Sequence, residues 1–80
     1  MQFFETTNLG LISALIARGY SPEGRHIEGK QVVFTFEKDE EFMSAVEDYK
    51  NNRFDVDAKT FYVTSRSVKN DIYQMLRGEQ

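Results

Sequence analysis

The sequence predicts an α+β fold: a small antiparallel sheet with helices, in the order β-α-β-β-α-(β)-α, ending in a long C-terminal helix. Two observations predict it. In some stretches apolar residues recur every three to four positions, which is typical of helices, and in others at every second position, which is typical of strands. Glycines, asparagines and aspartates separate these stretches. With 80 residues, 40% of them hydrophobic and 29% charged, the chain is expected to form one soluble domain over 1–80.

The N-terminal part predicts a short strand followed by a helix. The strand-prone run covers residues 3–6. Asn8 or Thr7 can cap the helix through a side-chain oxygen, and Gly19 supplies the left-handed residue that ends it. Apolar residues at helical spacing lie between these ends: Leu9, Ile12, Leu15 and Ile16. We therefore expect a helix over 8–18.

The next segment predicts a β-hairpin whose turn contains Gly29. After the turn a strand is expected over 31–37, because every second residue is apolar there: Val32, Phe34 and Phe36. Residues 23–28 are its expected partner. His26 lies in that partner strand with no cluster of metal-ligand residues beside it, so we expect it to have no catalytic or metal-binding role.

A second helix is expected to begin after its cap, Asp39, and to end at Asn51. Its apolar face is formed by Phe42, Ala45, Val46 and Tyr49. Residues 53–57 then alternate apolar and polar side chains. This alternation predicts either a short strand or an extended link.

The segment after Asp57, a suitable helix cap, can form two structures. The β-branched and aromatic residues at 60–64 favour a strand, which a helix capped by Ser65 or Ser67 would follow. Helical spacing instead favours one long helix over 58–77. Its inner face, within one sector of about 100°, is Phe61, Ser65, Val68, Ile72, Met75 and Leu76. We expect the single helix.

Residues spread over nearly the whole chain support a family resemblance. They are Phe3-Phe4 with Thr6, Leu15, Gly19-Tyr20, Val33-Phe34-Thr35-Phe36-Glu37, Tyr49, Phe54-Asp55-Val56-Asp57-Ala58-Lys59-Thr60-Phe61, Val68-Lys69 and Ile72-Tyr73. With these residues the sequence resembles the DUF5659 domain family of small phage and prophage-associated bacterial proteins. The family usually has a proline near Ala58 and a leucine near Val68, so the C-terminal part departs from it slightly. The resemblance implies a small phage-type domain without assigned chemistry, and it brings no catalytic residues.

A second face of the expected C-terminal helix holds cations and tyrosines, and we call it the basic–aromatic stripe. Its members are Lys59, Tyr62, Arg66, Lys69, Tyr73 and Arg77. Cations neutralise phosphates and aromatic rings stack on unpaired bases, so the stripe predicts binding of nucleic acid, in particular single-stranded DNA. The structural alternative is a solvated flank whose long side chains cover the edge of the core. The net charge of −3 opposes strong non-specific binding of nucleic acid.

Charge of the opposite sign is concentrated around the second helix. Residues 37–48 contain six acids and one base, a net charge of −5. We call five of these acids the acidic face: Asp39, Glu40, Glu41, Glu47 and Asp48. This face can lie against the stripe, in the same molecule or in a neighbour, or it can bind a protein, including a host protein whose nucleic-acid site it would block. The structural alternative is compensation of the helix dipole and solubility.

Several classes of function are not expected. One histidine and no cysteine exclude a thiolate or multi-histidine metal site, and Asp55 with Asp57 is too small a set for a calcium loop. Neither a nucleophile motif nor a glycine-rich phosphate loop occurs, so we expect no enzyme and no cofactor. No segment predicts a membrane span or a signal peptide, so we expect the cytoplasm, that of the host cell if the protein is phage-encoded.

The small size of the core predicts self-association. Six phenylalanines are expected to fill that core: Phe3, Phe34, Phe36, Phe42, Phe54 and Phe61. A sheet with helices on one face leaves the other to polar side chains or to a second subunit, so we expect a homodimer. The function favoured by the sequence is a non-enzymatic, phage-type accessory module that binds an unidentified protein. The alternative is a module that binds nucleic acid through the stripe.

Overall fold

The computed structural model describes residues 2–78, which form three strands and three helices. In chain order these are β1 (Gln2–Thr6), α1 (Leu9–Arg18), β2 (Gly24–Glu28), β3 (Gln31–Lys38), α2 (Glu40–Lys50) and α3 (Ala58–Leu76). The strands form one antiparallel sheet in the order β1-β3-β2. The predicted α+β class is confirmed.

The helices pack on one face of the sheet, over its central strand. Val32, Phe34 and Phe36 of β3 point toward them and are almost fully buried. The ring of Phe42 from α2 lies 5.5 Å from that of Phe36, measured between centroids, and Leu15 of α1 is fully buried in the same cluster. The core therefore lies between β3 and the helices, as the alternation of apolar residues predicts.

The helices α2 and α3 lie over opposite edges of the sheet, with α1 packed against both. On one side, the ring of Phe42 in α2 lies 5.6 Å from that of Phe4 in β1. On the other side, Arg25 Nη1 in β2 pairs with Asp71 Oδ2 in α3 at 3.3 Å. The surfaces that α2 and α3 present to solvent are therefore on different sides of the domain.

Each helix begins at a side chain that accepts a backbone hydrogen bond from the first turn, which satisfies one of its free N–H groups. The capping side chains are Asn8, Asp39 and Asp57, at 3.0, 2.8 and 2.9 Å. Helix α1 ends at Gly19, whose φ of 114° is accessible to glycine at little cost. Asp39, Asp57 and Gly19 are the caps that the sequence predicts, and Asn8 is one of the two candidates for the start of α1.

The segment 58–76 is a single helix, so the alternative of a strand at 60–64 is wrong. As a helix it buries one face, and Val68 on that face is only 4% exposed. Ile72 and Met75 are half-buried and pack against the core. Phe61 is half-buried but lies outside the core cluster, and Leu76 is 42% exposed, so the expectations that Phe61 fills the core and that Leu76 lies on the inner face are wrong. Because the apolar residues have helical spacing, only the helical form brings them to one side of the chain, and this outweighs the local preference for a strand.

Two further expectations are settled by the sheet. Residues 53–57 are an extended link without a sheet partner, which leaves three strands in residues 2–78. The expectation that Phe3 fills the core is wrong, because its side chain is 49% exposed. The register pairs Phe3 with Glu37 and Phe4 with Phe36, and adjacent strand residues point to opposite faces, so only Phe4 faces the helices.

Candidate interaction surface on the C-terminal helix

The basic–aromatic stripe lies along one side of α3 and ends at Arg77, which caps this helix. Its members recur every three or four residues and all are exposed. The two rings, Tyr62 and Tyr73, are 61% and 69% exposed. Within residues 2–78 six large hydrophobic side chains are exposed, and four of them lie on α3: Tyr62, Val63, Tyr73 and Leu76. This helix therefore presents most of the large apolar side chains exposed in the described chain.

Side chains of the stripe border an open groove along α3. The groove is lined by Tyr62, Arg66, Ser67, Lys69, Asn70 and Tyr73. Arg66 follows Tyr62 by one helical turn, and its Cζ lies 5.8 Å from the centroid of that ring, within range of a cation–π contact. The groove thus combines aromatic rings, positive charge and polar hydrogen-bonding groups.

Three cations of the stripe have no carboxylate partner among residues 2–78. The carboxylates there that contact a basic side chain are Asp71 with Arg25, Asp48 with Arg53, and Glu28 with the His26 ring. None of these contacts includes Lys59, Arg66 or Lys69. The one acid in α3, Asp71, is bound to β2, on the side of the helix away from the stripe. The positive charge of these three residues is therefore not neutralised within the described chain.

The acidic face lies on the solvent side of α2, and two of its members have local structural roles. Asp39 caps the helix, and Asp48 Oδ1 lies 3.6 Å from Arg53 Nη2. Glu40 and Glu41 lie in the first turn, where the helix dipole favours negative charge. No ion pair of residues 2–78 joins this face to Lys59, Arg66 or Lys69, so the two charged surfaces do not neutralise each other there.

One tyrosine near the acidic face belongs to the core. The ring of Tyr20 packs edge-on against Phe42, with 5.2 Å between centroids. Burial raises the pKa of Tyr20, and the nearby carboxylates of Glu41 and Asp39 raise it further. Tyr20 is thus part of the packing around the core, and its role differs from that of the exposed tyrosines of the stripe.

Comparison with family models identifies the chain. The model of a domain of unknown function, DUF5659, matches residues 1–74. The chain belongs to this family. No curated protein and no solved structure matches it. The matched region of this DUF5659 domain includes the whole acidic face. It also includes every member of the stripe except Arg77.

Two polar residues of the groove, Ser67 and Asn70, are missing from the sequence prediction of the stripe. Helical spacing contains the signal for Asn70, which lies four residues after Arg66 and three before Tyr73. A search for charges and rings passes over both residues because neither is charged or aromatic. Their side chains add hydrogen-bonding groups to this DUF5659 surface.

Other candidate residues have local contacts. His26 Nε2 lies 3.0 Å from Glu28 Oε2, on the sheet face away from the helices. Asp57 caps α3, and the backbone carbonyl of Asp55 accepts a hydrogen bond from Arg18 at 3.1 Å. Residues 2–78 contain no group of three or more His, Cys, Asp or Glu placed to hold a metal ion. No helix in the same range has the length and apolar character needed to cross a membrane.

A second groove, of about 690 Å³, separates the end of α2 from the start of α3. It is lined mainly by apolar side chains, among them Leu11, Tyr49, Phe54, Val56 and Phe61. Beside it Gly10 lets Tyr49 lie against α1, because a Cβ at this position would collide with the Tyr49 hydroxyl. The sequence does not predict this groove, since it depends on how the 53–57 link folds over the helices.

Proposed function

We propose that this DUF5659 domain is a non-enzymatic binding module that binds nucleic acid through the basic–aromatic stripe of α3. One observation supports the proposal above all: the exposed rings of Tyr62 and Tyr73 share a groove with Arg66 and Lys69, which have no carboxylate partner in residues 2–78. Surfaces that bind single strands combine these two kinds of group, cations for the backbone and rings for the bases.

The net charge of the protein limits the affinity that the stripe can reach. A charge of −3 repels a polyanion at long range, so attraction depends on the local cluster of Lys59, Arg66 and Lys69. Three phosphate contacts predict that log K falls with log salt concentration with a slope no steeper than about −2 for a single strand. Binding is therefore expected at low salt and should weaken toward physiological salt.

Titration of a fluorescent single-stranded oligonucleotide, followed by anisotropy at low and near-physiological salt, tests the proposal. The variant Arg66→Glu/Lys69→Glu reverses two charges of the stripe. The control Lys30→Glu/Lys50→Glu makes the same change in net charge at exposed lysines elsewhere. We expect the first variant to lose binding and the control to keep most of it. Unchanged binding by the first variant, or an equal loss in both, would contradict the proposal.

A protein partner is the second candidate, and the apolar side chains beside the stripe favour it. Val63 and Leu76 are 57% and 42% exposed on α3, on either side of the stripe, and exposed apolar side chains that flank aromatic and charged ones suit a protein interface. In this candidate the domain forms a homodimer through α3, or presents its acidic face to an unidentified protein. Light scattering on the wild type and on Val63→Asp/Leu76→Asp tests the homodimer. A dimer mass that the variant halves would support it, and a monomer in both samples would remove it.

Phage or prophage origin and action in the cytoplasm, that of the host cell if the protein is phage-encoded, belong to the same proposal. They rest on the family resemblance and on the expectations from the sequence. In that setting the domain would act as an accessory module that binds a nucleic-acid strand, while other proteins would catalyse any reaction on it.

A further inference from the structure

The tyrosines of the stripe differ from its cations in what they can recognise. A cation binds the phosphates of single strands and duplexes alike, whereas a ring stacks only on a base whose face is uncovered. We infer that Tyr62 and Tyr73 are stacking platforms that make the stripe selective for single-stranded nucleic acid. The inference rests on the proposed function and names the part of the ligand that each kind of side chain contacts.

The spacing along α3 suits an extended strand. Tyr62 and Tyr73 are eleven residues apart, which at 1.5 Å per residue corresponds to about 16 Å along the helix axis. Arg66 and Lys69 line the same groove between them. The order along the helix is therefore ring, cation, cation, ring. A strand in this groove places phosphates beside the cations and a base on the ring at each end.

The two rings are not equivalent. The Cζ of Arg66 lies 5.8 Å from the centroid of the Tyr62 ring, so Tyr62 already has a cation beside it. Tyr73 is the most exposed of the large hydrophobic side chains in residues 2–78. We therefore expect Tyr73 to supply the larger share of the stacking. Arg66 places a positive charge beside the base that would stack on Tyr62.

Neither ring contributes to the core, so each can be replaced with little effect on the fold. The core tyrosines are different: Tyr20 and Tyr49 pack edge-on against phenylalanines, with 5.2 and 6.0 Å between centroids. Tyr62 and Tyr73 lie outside the core cluster. Substitutions at exposed positions of this kind usually change stability little. A change in binding would therefore report on the surface itself.

The experiment is a cycle of four affinities, measured by anisotropy at low salt. The wild type and Tyr62→Ala/Tyr73→Ala are each titrated with a single-stranded oligonucleotide and with an abasic strand of the same length. The abasic strand keeps every phosphate and lacks the bases. We expect the wild type to bind the strand with bases at least about tenfold more tightly. The alanine variant should bind the two strands equally.

Two control variants separate stacking from other effects. Tyr62→Phe/Tyr73→Phe keeps both rings and removes the hydroxyls, so it should keep the preference for the strand with bases. Phe3→Ala removes an exposed ring from the opposite side of the sheet, and it should keep the preference as well. The alanine variant should also keep the salt slope of the wild type, because its phosphate contacts are unchanged.

The outcomes distinguish this inference from the function on which it rests. Equal binding of the two strands by the wild type, or a preference that survives in the alanine variant, overturns the inference. The proposed function then stands if Arg66→Glu/Lys69→Glu still abolishes binding. Tighter binding of a duplex than of a single strand also overturns the inference, since the bases of a duplex leave no uncovered face along the strand for the rings to stack on. No binding of any strand at low salt overturns both.

Discussion

Replacing Val68 by alanine is expected to lower the free energy of unfolding by about 2 kcal/mol. Val68 is the one residue of α3 that is fully buried. The substitution removes two methyl groups, each contributing about 0.8 kcal/mol when buried, and the cavity left behind adds about 1 kcal/mol. Alanine regains about 0.5 kcal/mol through its higher helix propensity. An 80-residue domain has a total stability of about 4–12 kcal/mol, so the effect is large.

The matched control is Val63→Ala, the same chemical change on the opposite side of the same helix. Val63 is exposed, so the control should stay within about 0.5 kcal/mol of the wild type. Urea unfolding followed by far-ultraviolet circular dichroism measures both variants. Equal losses, or a greater loss for Val63→Ala, would refute the assignment of buried and exposed faces on α3. The stripe would then not face solvent as a continuous surface.

Two other side chains give predictions of opposite sign. Ser13 is fully buried in α1 and its Oγ has no hydrogen-bond partner within residues 2–78, so Ser13→Ala should raise the free energy of unfolding in urea by about 1 kcal/mol. A loss of stability would mean that this hydroxyl has a partner after all. The backbone N–H and hydroxyl of Thr60 donate to the Asp57 carboxylate and lower the pKa of Asp57 below its ordinary value. The carboxylate therefore stabilises the fold above the pKa of an unfolded aspartate, and this contribution is lost as pH falls through the lower folded pKa. Asp57→Ala should lower the free energy of unfolding at neutral pH. In acid the difference in free energy of unfolding between the variant and the wild type should become smaller. A difference that is constant with pH would exclude this role.

The helices could be predicted because their signals are local. The side chains of Asn8, Asp39 and Asp57 cap the backbone within three residues of their own positions, so the sequence alone identifies where each helix begins. The long C-terminal helix is the harder case, because residues 60–64 locally favour a strand. Helical spacing over the whole segment, centred on Val68, predicts it correctly, since the burial of a whole face outweighs five local preferences.

Features that depend on pairing could not be predicted. Phe3 and Phe4 are chemically equal, and only the register with β3 decides that Phe4 faces the helices. The 53–57 link has the alternation of a strand, yet it pairs with no strand of the sheet, and its Phe54 packs instead against Tyr49 near the end of α2. The groove along the stripe is an intermediate case. Helical spacing predicts its charged and aromatic members and also contains the signal for Asn70, whereas Ser67 is identified only from the groove itself.

The placement of charge explains how an acidic domain could hold a polyanion on one helix. The acidic face on α2 and the stripe on α3 lie over opposite edges of a domain measuring 35 × 32 × 18 Å. At physiological salt the screening length is about 8 Å, so a strand bound to the stripe is largely shielded from α2, while its phosphates touch Lys59, Arg66 and Lys69 directly. At 0.01 M salt the screening length is about 30 Å, comparable with the domain, and the acids repel the strand as the stripe attracts it. In the proposed complex, lowering the salt would therefore strengthen binding less than three cations alone would, because the acidic face on α2 then acts over the whole domain.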